Sequence, residues 1–140
     1  MSDSSPSESK IGKDGKVTVK SPWMAMVKEF HTKFPQLIAD KPGFPDDENV
    51  RAGRISLLEE EWQEYKEAEA SDDLVEVADA LGDMVYVIAG TALAYGIPLD
   101  RVFQEIHDSN MTKDPTSPRG KKIRKGPEFV PVDLSWIKKG

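Results

Sequence analysis

The chain has 140 residues, 38% hydrophobic and 31% charged, with a formal net charge of -6 and no cysteine. That length fits one domain with a real core, and the missing cysteine excludes a disulfide framework and a thiolate metal site, which fits a reducing cytoplasm. Between Phe44 and Asp108 there are 17 acids against four bases, a balance that would repel the phosphates of duplex nucleic acid and excludes it as a natural partner.

Residues 1–21 read as a polar tail rich in Ser, Lys and Gly, poorly ordered and without the apolar core of a signal peptide. From Pro22 to Leu37, apolar residues at Met24, Met26, Val27, Phe30, Phe34 and Leu37 follow one helical face, and Pro35 should end that helix early. Ala39 to Glu48 is a loop. A second helix runs from about Asn49 to Ala70, with Ile55, Leu58, Trp62 and Tyr65 in one apolar stripe and Glu61 at its edge. Ser71-Asp72-Asp73 supplies an N-cap, with Glu76 as a capping or first-turn acid.

The third helix, about Asp72 to Tyr95, is apolar nearly all round, as a central bundle helix should be. Gly96-Ile97-Pro98 ends it. Its uncharged part, Met84 to Leu99, is too short to span a bilayer, so no membrane is expected. Asp100 caps a fourth helix to about Met111, with Val102, Phe103 and Ile106 on its buried side. Residues 114–140 form a basic loop and a short docking segment behind a helical domain over 22–113. No sustained strand alternation occurs, and the fold class expected is all-α.

Chemistry concentrates in two acidic rows. Glu60, Glu61 and Glu64 are spaced i, i+1, i+4, and Glu76, Asp79 and Asp83 are spaced i, i+3, i+7, so each row lies on one side of its helix. Asp79 and Asp83 are the only charges between Val77 and Leu99. Acids inside an apolar helix are normally paired or bound to a metal. Short loops make the two helices antiparallel neighbours, and six facing carboxylates would repel one another unless cations neutralise them. Oxygen-only donors suit Mg²⁺, which usually arrives with phosphates. Asn110 and Lys113, one turn apart, could hold phosphate oxygens or simply cap the fourth helix. Five bases between Arg119 and Lys125, among them Arg124 and Lys125, could close over a polyphosphate or solvate a loop. No Walker-type loop, nucleophilic serine elbow, Cys-His pair or di-iron Glu-x-x-His pair is present.

Glu60-Glu61-x-x-Glu64, followed by the acidic stripe ending Asp83-Met84-Val85-Tyr86-Val87, resembles the all-α nucleoside triphosphate pyrophosphohydrolases. That superfamily includes MazG, the dimeric dUTPases and phosphoribosyl-ATP pyrophosphohydrolase. Val27 to His31 is similar to its first helix, while Phe103 to Lys113, Gly120-Lys121 and Lys125-Gly126-Pro127 are similar to its small single-domain branch. The resemblance implies a four-to-five-helix bundle completed as a homodimer or homotetramer. It also implies Mg²⁺-dependent cleavage of a nucleoside triphosphate between the α- and β-phosphates, with Mn²⁺ a possible substitute. By that resemblance Glu61, Glu64 and Asp83 are metal ligands, and Glu60 is a further ligand or orients the attacking water. The usual second motif would need a glutamate at Ala80, so Glu76 and Asp79 are alternative fourth ligands. Asn110 and Lys113 match phosphate-contacting positions. A phosphoribosyl-ATP substrate, or a non-catalytic cation-binding helical dimer, are the alternatives.

Overall fold

A computed structural model describes residues 9–11, 17–19 and 21–139. They form two units: Pro22–Pro98, and Leu99 onward together with the N-terminal segment. The first unit holds α1 (Trp23–Lys33), α2 (Glu48–Ala70) and α3 (Leu74–Tyr95), with α3 packed against both others.

Local chemistry sets each helix end. Pro35 removes a donor and forces Phe34 to extended backbone (φ -111°, ψ 92°), so α1 stops at Lys33. Asp47 caps α2 by accepting the Asn49 N–H at 2.8 Å, and Asp73 caps α3 by accepting the Glu76 N–H at 3.1 Å. The sequence places Asp72 inside α3; instead it stands in left-handed backbone at φ 53°, a conformation aspartate tolerates and which turns the chain between the two helices. At the far end Gly96 has φ 65°. Its N–H donates to Leu93 O, and the Ile97 N–H to Ala92 O, the paired bonds of a Schellman cap. The 39–43 loop completes that end, with Ala39 N–H on Leu93 O and Gly43 N–H on Tyr95 O.

The buried apolar residues of this unit are small: Val27, Ala68, Ala80, Ala89, Ala92 and Ala94. Small side chains let the helices approach closely, but they bury little area. Of α2's expected stripe, Leu58 and Tyr65 are half-buried, whereas Ile55 and Trp62 are exposed. The row turned toward α3 is 54, 58, 61, 65 and 68, rotated from the apolar stripe. Counting Asp79 and Asp83 in, the 22 residues of α3 are long and apolar enough to cross a bilayer, which Met84–Leu99 alone is not. It packs against α1 and α2, yet Leu74, Val75, Leu81 and Ile88 stay exposed.

In the second unit α4 spans Leu99–Asn110, so Asp100 lies in its first turn and does not cap it. Only Val102 of the three expected inward residues is buried; Phe103 and Ile106 are exposed. The covered row is Val102, Glu105 and Ser109, because the C-terminal segment docks there. Ser109 Oγ donates to Val130 O at 2.7 Å, and Trp136 Nε1–H donates to Glu105 at 2.9 Å. A short 3-10 turn, Ser135–Lys139, closes the chain. Residues 9–11 and 17–19 form a two-stranded antiparallel ladder, Ser9 opposite Val19. The polar composition predicts no strand there; the β-branched Val17-Thr18-Val19 run explains it. The all-α class otherwise holds, and the rest of the expected tail lies outside the described residues.

Candidate metal centre

Antiparallel packing of α2 on α3 sets the register of the acids. Arg54 reaches Val87 and Thr91, and Glu61 lies opposite Asp83, so paired positions shift in opposite senses along the two helices. Glu61, Glu64 and Asp83 each offer a carboxylate oxygen within 4.8 Å of the other two. Glu61 Oε2 is closed off from water and has no hydrogen-bond partner. A buried, unpaired carboxylate oxygen is rare because its desolvation is uncompensated.

The titration of these groups carries the same information. Burial, then hydrogen bonding with Glu64 and the charges of Asp83, Glu64 and Glu60, push the Glu61 carboxyl up to about 7. Burial, with Asp79 and Glu64, raises Asp83 as well. The fold therefore holds acids together against their own repulsion.

The other expected site residues are not members of this close trio. Glu60 and Asp79 are exposed and outside the close trio, yet near enough to raise the values of Glu61 and Asp83. Glu76 is exposed in the first turn of α3, its N–H held by Asp73. Asn110 ends α4 in the second unit, and Lys113 lies three residues beyond it, its N–H donating to Asn110 O. Arg124 pairs with Asp114 at 2.9 Å, and the Lys125 ammonium sits 5.3 Å above the Phe129 ring.

Three residues about two helical turns from the acids carry no signal of their own in the sequence. His31 is buried, with Nδ1 donating to Leu37 O at 3.0 Å. Arg54 is half-buried on α2, and Gly90 is buried on α3 against it. Their only sequence clue is spacing, since Arg54 precedes Glu61 by seven residues and Gly90 follows Asp83 by seven.

Residues 27–110, more than half of the chain, match the model of the phosphoribosyl-ATP pyrophosphohydrolase family. The chain belongs to that family. Membership in the phosphoribosyl-ATP pyrophosphohydrolase family brings pyrophosphohydrolase chemistry with it, and all three clustered acids lie inside the matched span. A search of curated proteins finds no match.

Proposed function

We propose that this protein is a Mg²⁺-dependent nucleoside triphosphate pyrophosphohydrolase that cleaves a (d)NTP to the monophosphate and pyrophosphate. The observation that carries the reading is the trio Glu61, Glu64 and Asp83, with the buried, unpaired Oε2 of Glu61 among them. Hard oxygen donors already held together suit Mg²⁺, with Mn²⁺ as a substitute. Glu61, Glu64 and Asp83 would hold the cation, which when bound would supply neutralising charge to the triphosphate and a water of lowered pKa. Glu60 accepts the proton of the attacking water or orients it. The water oxygen forms a new P–O bond as the α–β anhydride bond breaks and pyrophosphate leaves. Asn110, Lys113, Arg124 and Lys125 are proposed as phosphate contacts on the strength of the family resemblance alone. Glu76 and Asp79 stay alternative fourth ligands, with Asp79 the nearer to Asp83 in charge.

The family match favours a second reading, phosphoribosyl-ATP as the substrate. Both substrates carry the same anhydride. A panel of ribo- and deoxyribonucleoside triphosphates with phosphoribosyl-ATP, assayed for pyrophosphate with Mg²⁺, separates them. We expect turnover of at least one triphosphate; turnover of phosphoribosyl-ATP alone gives the second reading. No turnover, with stabilisation by Mg²⁺, makes the protein a cation-binding scaffold. A pool-cleaning role belongs in the cytoplasm, with free nucleotides as partners and neither nucleic acid nor membrane.

A second copy of the chain is the proposed cover for α3. Leu74 and Val75 are 80% and 76% exposed, and Leu81 and Ile88 are also open, more apolar surface than one soluble helix normally leaves in water. Sedimentation should find a dimer or tetramer; a monomer at assay concentrations contradicts this.

The raised Glu61 value also fixes a pH dependence. The folded protein takes up a proton below about 7, whereas the unfolded chain does so only below its ordinary 4.5. Between those values the folded state binds more protons, so this group stabilises the metal-free protein at low pH, and that contribution is lost as pH rises through about 7. Melting temperatures in EDTA, relative to Glu61→Gln, should fall across that window. Stabilisation by Mg²⁺ should grow over the same range, because the cation competes with the proton.

A further inference from the structure

The polar contacts two turns along α2 and α3 from the acids form a brace. Arg54 Nε–H donates to Thr91 Oγ1 at 3.0 Å, and Nη2–H donates to Val87 O at 2.8 Å. Thr91 Oγ–H donates to that same carbonyl at 2.9 Å. One planar guanidinium thus spans two acceptors a turn apart on the facing helix, which fixes both the rotation and the axial register of α2 against α3. The fit depends on Gly90. A Cβ there would lie 2.5 Å from Arg54 Nη2 and 2.9 Å from His31 Nε2, so the missing side chain is the space the guanidinium occupies. His31 is itself fixed through its Nδ1 bond to Leu37 O. α1, α2 and α3 therefore meet at one polar point within the Pro22–Pro98 unit.

The geometry points to Arg54, seated in the notch left by Gly90, as a positioning residue that holds Glu61 and Glu64 in register with Asp83 for cation binding. This rests on the cation-site reading above. Arg54 stands seven residues before Glu61 on α2, while Val87 and Thr91 stand four and eight residues after Asp83 on α3. A slip or rotation at Arg54 is carried rigidly along both helices to the carboxylates. Groups that orient ligands without touching the metal commonly govern affinity by about 10- to 100-fold.

The test is Mn²⁺ affinity, read from the electron paramagnetic resonance of free Mn²⁺, alongside melting of the metal-free protein. Arg54→Met and Gly90→Ala should each weaken Mn²⁺ binding by about tenfold. Gly90→Ala should do so in a protein that still folds, with a modest fall in melting, because the methyl displaces the Arg54 guanidinium and presses on the fixed His31 ring. The double variant should bind no more weakly than the worse single variant, since both remove one brace. Arg54→Lys should not rescue, because one ammonium cannot reproduce the fork. If Arg54→Met does not fold, Gly90→Ala and Arg54→Lys decide. Affinities within about twofold of wild type in these variants, or losses that multiply in the double variant, overturn the brace. Failure of the wild type to bind Mn²⁺ would sink the cation-site reading itself.

Discussion

Asp83→Asn and Glu61→Gln should each lower pyrophosphate release by at least about 100-fold, the usual scale for losing a group that stabilises transition-state charge. Neither change should harm the fold. Both substitutions are close to isosteric, and both residues sit where the metal-free structure is under electrostatic strain, since Glu61 lies near 7 and Asp83 is raised. Removing one charge from that cluster relieves repulsion. The metal-free Glu61→Gln protein should therefore melt no lower than wild type above neutral pH, while its stabilisation by Mg²⁺ disappears. The combination matters more than either half. Lost turnover with lost stability would describe a damaged fold, whereas lost turnover with retained or raised stability describes a ligand. Asp79→Asn and Glu76→Gln, outside the close trio, give the ranking of the remaining acids, with the larger loss expected at Asp79.

Gly96→Ala should be the most destabilising single-methyl change in the Pro22–Pro98 unit. Gly96 holds left-handed backbone, which costs a residue with a Cβ about 1–2 kcal/mol. The added methyl would also lie 2.2 Å from the Lys41 carbonyl oxygen and 2.5 Å from its carbon. That carbonyl is backbone and cannot swing aside. Moving it would pull on the Ala39 and Gly43 N–H groups that cap α3. Gly120→Ala is the control, because Gly120 has φ 81° with nothing within 4 Å of the added carbon. It incurs the backbone strain alone. Urea denaturation should show Gly96→Ala losing clearly more stability than Gly120→Ala; equal losses would mean the Lys41 contact does not constrain the end of α3.

Three helix ends were legible because they depend on single residues with fixed local chemistry, Pro35, Asp73 and Gly96, whereas Asp100 stands inside α4 and not at its cap. Of the six acids in the two rows the structure gathers Glu61, Glu64 and Asp83, and these were legible for a different reason, since charge in or beside an apolar stripe has few explanations. The rotation of α2 was not legible. Its apolar stripe includes Ile55 and Trp62, which the single chain leaves exposed, while the face toward α3 carries Arg54 and Glu61. A hydrophobic pattern records every surface that prefers to leave water, without saying which neighbour covers it. Phe103 and Ile106 on α4 misled in the same way, because the C-terminal segment docks on the Glu105–Ser109 row. The brace of Arg54, His31 and Gly90 was invisible because its meaning lies in an absent Cβ and in two acceptors on another helix.

Anomalous diffraction from crystals soaked in Mn²⁺ would locate the cation outright. A peak is expected among the carboxylates of Glu61, Glu64 and Asp83, with Glu61 Oε2 drawn into coordination and the peak gone in Asp83→Asn. A peak elsewhere, or an empty trio at saturating Mn²⁺, would contradict the cation-site reading.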